Sequence, residues 1–264
     1  MPDVRQFIMF GALALVGLMP MPGHAAELPR PTPIDARFDI LGIRIGQTAA
    51  EVHAVLAKAD PEGQLQEGKT RSEGNPEDYV NQIVFRSTKK DPRDPSQVDV
   101  VDTVRVLFSA PASGNRSLAA ERSVYYYNNS NPIMSTTVEA LEKKYGISPE
   151  MKTRGFTPFN KYEKLVFDET GKVRSQSPLY NVSNCGFGST NENIGSFSSA
   201  CRSAILSWDV EPALDHDRVD RMFVLLKDHD FALAALKIDK EAAQEAHDAE
   251  ITRLRAGAAP APRL

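Results

Sequence analysis

The chain has 264 residues, with 31 Lys and Arg against 35 Asp and Glu, so its formal net charge is −4. Its content of 41% hydrophobic and 25% charged residues is that of an ordinary globular protein, which excludes disordered and fibrous classes. The slightly acidic balance provides no basic footprint for nucleic acid. Two cysteines are too few for a zinc ribbon or a disulfide-dense miniprotein.

The N-terminal sequence predicts export. Arg5 precedes an apolar run from Phe7 to Met19, and a Pro- and Gly-containing break then leads to the small residue Ala26. This order is typical of a signal peptide, here residues 1–26, cleaved near Ala26. The run is shorter than the roughly 20 residues that cross a bilayer, although an uncleaved anchor is the alternative. We expect a periplasmic or secreted protein with no transmembrane segment after cleavage.

The two cysteines predict a disulfide. Cys185 and Cys201 are sixteen positions apart and enclose a sequence rich in Gly, Ser and Asn. An exported protein meets an oxidising compartment, where a link closing such a loop contributes about 3 kcal/mol in the chain-entropy model. Two free thiols are the alternative.

The first half of the chain predicts a helix followed by strands. Prolines make residues 27–37 an extended lead-in, and Thr48 with Glu51 forms a capping box that begins a helix. A polar stretch, Glu62–Asp78, shows no apolar periodicity. Period-two patterns then predict three strands, with residues 89–97 as a turn between the first two: Gln82–Ser87, Val98–Ala110 and Arg122–Asn128.

The second half repeats this order. Thr136 and Glu139 predict a second capping box, on a helix that stops at Gly146. A hairpin turn at residues 168–171 follows. Further strands are expected over Ser203–Val210, where Trp208 is expected to pack in the core or on a sheet face, and over Val219–Leu226. A long helix over Asp230–Arg255, capped by Asp230, ends the pattern.

These elements predict an α+β fold with two helix-plus-antiparallel-sheet units in tandem and a long C-terminal helix. The first unit covers residues 38–130 and the second, with the disulfide loop, residues 131–229. The C-terminal helix covers residues 230–256 and a flexible tail residues 257–264.

Two carboxylate–imidazole clusters suggest an alternative function, that of an enzyme. Asp215, His216 and Asp217 form one cluster, and His229 lies between two aspartates in the other. A carboxylate orients an imidazole, so a metal or general-base site is conceivable. Asp and His are also common at the solvated ends of strands and helices, where both clusters are expected to lie. No third ligand motif accompanies the two clusters. We therefore expect no cofactor and no metal, and keep a periplasmic hydrolase or metal-dependent enzyme as the alternative.

Aromatic residues offer a candidate binding surface. Tyr125, Tyr126 and Tyr127 are consecutive, so the expected strand presents tyrosine on both faces. Tyrosine combines an apolar ring with a polar tip, which suits interfaces. Phe187 and Asn191, in the predicted disulfide loop, complete the candidate surface. Alternatively, the tyrosines simply cover one face of the sheet.

One short stretch resembles a known group. Residues Asp39–Val52, with an apolar element, a Gly-x-Thr turn and a capped helix, resemble the opening of small bacterial envelope proteins. The group comprises outer-membrane assembly lipoproteins and the β-lactamase-inhibitor-protein-like tandem α/β fold, and Thr136–Gly146 would open the second unit. The lipid-modified cysteine of the lipoprotein members is absent. The resemblance implies a non-enzymatic binding or assembly role in the periplasm.

Together these features favour an exported, non-catalytic protein-binding or envelope-accessory protein. The expected partner is another envelope protein. A purely structural envelope protein is a further alternative, and the sequence does not define an oligomeric state.

Overall fold

The computed structural model describes residues 28–72, 77–128, 130–146, 161–173, 194–199, 201 and 204–257. These residues form three α-helices and seven strands. The helices are α1 (Ala49–Ala59), α2 (Met134–Tyr145) and α3 (His229–Ala256). The strands are β1 (Gln64–Thr70), β2 (Tyr79–Lys90), β3 (Val98–Phe108), β4 (Ser117–Tyr126), β5 (Lys161–Val166), β6 (Ala204–Pro212) and β7 (Val219–Asp228).

All seven strands belong to one antiparallel sheet, in the order β1-β2-β3-β4-β7-β6-β5. Within each half of the chain, strands that follow one another in sequence are neighbours in the sheet. The two halves meet where Ala119–Tyr125 of β4 pairs with Arg221–Lys227 of β7. The predicted α+β class is confirmed.

One face of the sheet, called the core face here, carries the main hydrophobic core. Apolar side chains that face this core alternate with outward-facing residues along β2, β3, β6 and β7, as period two requires. Trp208 is 1% exposed and packs in this core, one of the two places expected for it. Helices α1 and α2 pack on β2 and β6, respectively. The strand residues of this core include Ile83, Phe85, Val104, Val106, Leu206, Val210, Val224 and Leu226.

Helix α1 begins as the sequence predicts. The Thr48 hydroxyl accepts a hydrogen bond from the Glu51 amide, and the Glu51 carboxylate accepts one from the Thr48 amide at 2.7 Å. This reciprocal capping box satisfies amides that lack partners within the helix. Val52 and Leu56 on the following turns are buried, so the cap positions the helix with its apolar face on the core.

The capping box predicted for the second helix is wrong. Helix α2 begins at Met134, with Ile133 at the N-cap position and no side-chain cap. The Met134 amide instead donates to the backbone carbonyl of Asp217, at 2.8 Å. A tertiary backbone contact thus replaces the expected side-chain cap. The expected end of the helix at Gly146 is confirmed.

Two further expectations are corrected at the edges of the sheet. The polar stretch after the first helix contains the edge strand β1, which has no alternating apolar pattern because little of it is buried. The cap of the last helix is Asp228, not Asp230. One Asp228 oxygen accepts from the Phe231 amide at 3.0 Å and the other accepts from the Thr32 amide at 2.6 Å. This buried carboxylate therefore fixes both the helix start and the N-terminal lead-in.

A second aspartate connects α3 to the turn that follows β3. Asp239 accepts hydrogen bonds from the Ala110 amide and from the amide and hydroxyl of Ser113, at 2.8–2.9 Å. Ser113 belongs to a short 3-10 turn that follows β3. Within the described ranges, none of the helices has both the length and the hydrophobicity needed to cross a bilayer.

Replacing Asp228 by alanine should destabilise the fold. Asp228→Ala leaves two backbone amides without their acceptor, which costs about 2–3 kcal/mol of unfolding free energy. Urea unfolding followed by circular dichroism measures the loss. Glu241→Ala, at an exposed position of the same helix, is the control and should change stability by less than about 0.5 kcal/mol. Equal stability of the two variants would contradict this role for Asp228.

Candidate functional site

A polar row crosses the three adjacent strands β4, β7 and β6 on the sheet face opposite the core. Tyr125 of β4 is the register partner of Arg221 of β7, which is the register partner of Glu211 of β6. The Arg221 guanidinium donates a hydrogen bond to the Glu211 carboxylate and lies 5.8 Å from the centre of the Tyr125 ring. Tyr125, Arg221 and Glu211 are called the polar row below.

The charge of Arg221 is held by its neighbours. Burial alone would lower the pKa of Arg221, but the side-chain contact with Tyr125 and the negative charge of Glu211 raise the pKa overall. The guanidinium side chain is 19% exposed and the Glu211 side chain 29%. Arg221 and Glu211 therefore form an ion pair at a partly exposed surface. The guanidinium is held between Glu211 on one side and the Tyr125 ring on the other.

A second ion pair lies on the same face. Arg105 of β3 and Glu121 of β4 are register partners, and the Arg105 guanidinium donates to one Glu121 oxygen. The Glu121 side chain is buried, whereas that of Arg105 is 42% exposed. Cross-strand pairs of opposite charge stabilise a sheet and fix its register. The exposed part of Arg105 is left to meet solvent or a ligand.

Asp209 adds an unusual carboxyl to this face. It lies two residues before Glu211 on β6, and its Oδ1 atom is buried without a hydrogen-bond partner among the described residues. Burial and the charge of Glu211, opposed by Arg221, raise the pKa of Asp209 to about 6. A carboxyl of this kind titrates near neutral pH instead of near pH 4.

The three tyrosines have different surroundings. Tyr125 belongs to the polar row, whereas Tyr126 faces the core and packs against its edge. Tyr127 lies beyond the end of β4 and is 44% exposed. Only two of the three therefore lie on a surface where a partner can reach them. Phe187 and Asn191 lie outside the described residues.

A further ion pair supports the core face near Tyr126. Asp102 and Arg122 form two-point hydrogen bonds at 2.7–3.1 Å. Burial alone would lower the pKa of Arg122, but the Asp102 carboxylate raises it overall. The Tyr145 hydroxyl of α2 donates to the Asp39 carbonyl at 2.9 Å. The ion pair therefore links β3 to β4, and the Tyr145 hydrogen bond links α2 to the segment that precedes α1.

The two Asp/His clusters do not meet. Asp215, His216 and Asp217 are exposed in the turn before β7, whereas His229 is buried just after β7. A strand of this length separates its ends by about 30 Å. His229 Nδ1 accepts a hydrogen bond from the Ser198 amide at 3.0 Å. No group of three or more potential metal ligands occurs in the described part of the chain.

The cysteine prediction remains open. Cys201 is buried at 6% exposure, and Cys185 lies outside the described residues. Nearby, residues 194–198 lie against the sheet face that carries the polar row. Ile194 packs with Ala119 and Leu225, and Lys227 donates to the Ser196 carbonyl at 3.2 Å. The segment leading to Cys201 is thus anchored beside that face.

The charged residues of this face are not predicted by the sequence. Arg221, Glu211 and Arg105 become neighbours only through strand register, which a local pattern does not reveal. One signal was present: Asp209 and Glu211 alternate with the apolar Trp208 and Val210. That alternation indicates a strand with one buried face and one charged face.

Replacing Asp209 by asparagine should flatten the pH dependence of stability. The folded carboxyl has a pKa of about 6 and the unfolded one about 3.9. The protonated Asp209 carboxyl therefore contributes its full stabilisation of the folded state below about pH 4, and this stabilisation is lost as the pH rises through about 6. Between pH 4 and 7 the free energy of unfolding should fall by about 1 kcal/mol more for the wild type than for Asp209→Asn. This is roughly half of what the full pKa difference would give, because the carboxyl is partly solvated.

Urea unfolding at several pH values measures this difference. Asp220→Asn, at an exposed position of β7, is the matched control and should follow the wild-type curve. Parallel curves for the wild type and Asp209→Asn would show that the carboxyl has no raised pKa.

No family model, curated protein or solved structure matches this chain. The resemblance of Asp39–Val52 to bacterial envelope proteins therefore stays a prediction. The geometry of the sheet face that carries the polar row is the basis for a functional proposal.

Proposed function

We propose that this chain is an exported, non-catalytic binding protein whose partner is another envelope protein. The observation that carries the proposal is the polar row of Tyr125, Arg221 and Glu211, partly exposed across the adjacent strands β4, β7 and β6. Tyrosine and arginine are the residue types most enriched where interfaces gain their binding energy.

The surroundings of the row suit recognition of a protein. Its side chains are held by strands and by one another, so binding would immobilise few rotamers. The exposed guanidinium of Arg105 adds a cation beside it. A surface with fixed charges of both signs selects a partner of complementary charge pattern.

We further propose that the two halves of the chain are tandem units. In support, each half consists of a helix followed by antiparallel strands, and the last strand of each half lies at the centre of the sheet. Helix α1 packs on β2 and α2 on β6, the second strand of its half in each case. Under this proposal the polar row crosses the seam between the units and is available only when both have folded.

Export and a Cys185–Cys201 disulfide belong to the same proposal. The disulfide loop would include residues 194–198, which already lie on the sheet face of the polar row, and would end at Cys201. A loop closed there would extend the binding surface beyond the strands. The signal peptide, residues 1–26, would direct the chain to a compartment that permits the disulfide.

Quantitative capture from envelope extracts tests the proposal. The immobilised wild type should retain a stable partner, and Tyr125→Ala and Arg221→Lys should each weaken retention about tenfold or more. The lysine keeps the charge but loses the planar fork that contacts Tyr125 and Glu211. Lys58→Ala, at an exposed site on α1, is the control and should retain the partner like the wild type.

Two results would contradict the proposal. One is capture that is unaffected by both substitutions in the polar row, or a wild type that retains no partner. The other is stoichiometric metal in the purified protein that disappears when His216 and His229 are replaced, because that result would favour the metal-dependent enzyme.

A further inference from the structure

Three exposed apolar side chains lie at one end of the sheet. Tyr127 follows β4, Leu214 lies in the turn between β6 and β7, and Ile133 immediately precedes α2. Tyr127 is 44% exposed, Ile133 57%, and Leu214 is fully exposed. The end of β4 and the start of β7 adjoin in the sheet, and Ile133 forms a backbone bridge with Arg218. These three residues are called the tip patch.

The backbone around the tip patch is tightly ordered. The two loops that carry Ile133 and Leu214 are joined by hydrogen bonds from the Met134 amide to the Asp217 carbonyl and from the Val219 amide to the Pro132 carbonyl, at 2.8 and 2.9 Å. The Tyr127 amide donates to the Asp99 carbonyl at 2.7 Å. The apolar side chains are therefore displayed on a fixed frame, which lowers the entropy lost on binding.

Folding gives no reason for a leucine at position 214. The turn is shaped by Asp215, whose carboxylate accepts the amides of Asp217 and Arg218 at 3.2 Å, and by the positive φ of His216. The Leu214 side chain buries no surface, and polar residues serve equally well in such turns. A single exposed leucine is ordinary, but three large exposed apolar side chains at the same end of the sheet, on loops joined by hydrogen bonds, indicate an interaction site.

The charges beside Leu214 are mainly acidic. Asp215, Asp217 and Asp220 are exposed. Arg218 lies 3.8 Å from Asp215 and donates to the Asn131 carbonyl at 3.0 Å, so Arg218 and Asp215 offset each other and Asp217 and Asp220 supply the acidic excess. An apolar anchor with an acidic border is complementary to an apolar pocket with a basic border.

We propose that the tip patch docks a partner protein that presents an apolar pocket bordered by Lys and Arg, with Leu214 as the residue inserted into the pocket. This proposal rests on the proposed function, because both require that the ligand is a protein. The tip patch also adjoins the polar row, because Tyr127 follows Tyr125 by two residues. One partner can therefore contact both surfaces, with the tip patch supplying the apolar contact.

Site-specific photo-crosslinking in the producing cells tests the inference on the full chain. p-Benzoylphenylalanine replaces Leu214, Ile133 or, as a matched control, Leu236, an exposed leucine on α3. We expect a crosslinked product of one defined mass from positions 214 and 133 and none from position 236. The crosslinked peptide of the partner should lie beside Lys or Arg residues.

A second arm tests the anchor and its acidic border. With the photoreactive residue at position 133, Leu214→Asp should reduce the crosslinked product at least tenfold, whereas Leu236→Asp should not. Asp217→Asn, which leaves the turn-forming Asp215 in place, should reduce it several-fold, and added salt should lower the wild-type yield while leaving that variant less affected. Leu214 is fully exposed, so its substitution leaves the folded core intact.

Several results would overturn the inference: no product from position 214, a product with twice the mass of the chain itself, a partner peptide from an acidic surface, or a yield unaffected by Leu214→Asp. If any of these occurs while Tyr125→Ala still abolishes capture, the tip patch fails and the proposed function stands. If Leu214→Asp abolishes capture and Tyr125→Ala does not, the polar row fails and the tip patch stands.

Discussion

The structure depends on the pairing of β4 with β7. This ladder, Ala119–Tyr125 with Arg221–Lys227, joins the strands of the first half of the chain to those of the second in one sheet. On one face it makes the hydrophobic core continuous, since Val124 meets Met222 and Ala120 meets Leu226. On the other face the same register places Tyr125 beside Arg221. Without this pairing neither a common core nor the polar row would exist.

The two faces of the sheet consequently serve different purposes. The core face buries apolar side chains beneath α1, α2 and the lead-in, and its burial from water supplies the main driving force for folding. The opposite face holds ion pairs and a partly buried carboxyl, which contribute little to stability and in the case of Asp209 oppose it. Groups of this kind, kept on a rigid sheet, suit recognition more than stability. The ordered loops at the tip of the sheet extend this surface with apolar contacts.

The sequence predicted what depends on local pattern. Period-two alternation identified the strands around Val104 and Trp208, and the Thr48 capping box located α1, because both signals lie within a few residues of one another. Prediction from the sequence failed for β1, since an edge strand with little burial has no apolar alternation. It also misplaced the start of α2, whose first amide bonds to Asp217 far along the chain. The polar row was missed for the same reason, because strand register is a property of the whole sheet.

Native-state hydrogen exchange tests most directly the claim that β4–β7 pairing unites the two halves. We predict that the hydrogen-bonded amides of β4 and β7, together with those of β3 and β6, exchange only through global unfolding. Their exchange free energies should then equal the free energy of urea unfolding. The contrary result is a separate, lower-energy opening in which β6 and β7 exchange while β3 and β4 stay protected. That pattern would show two halves that unfold independently, so that the β4–β7 pairing would not unite them into one cooperative unit.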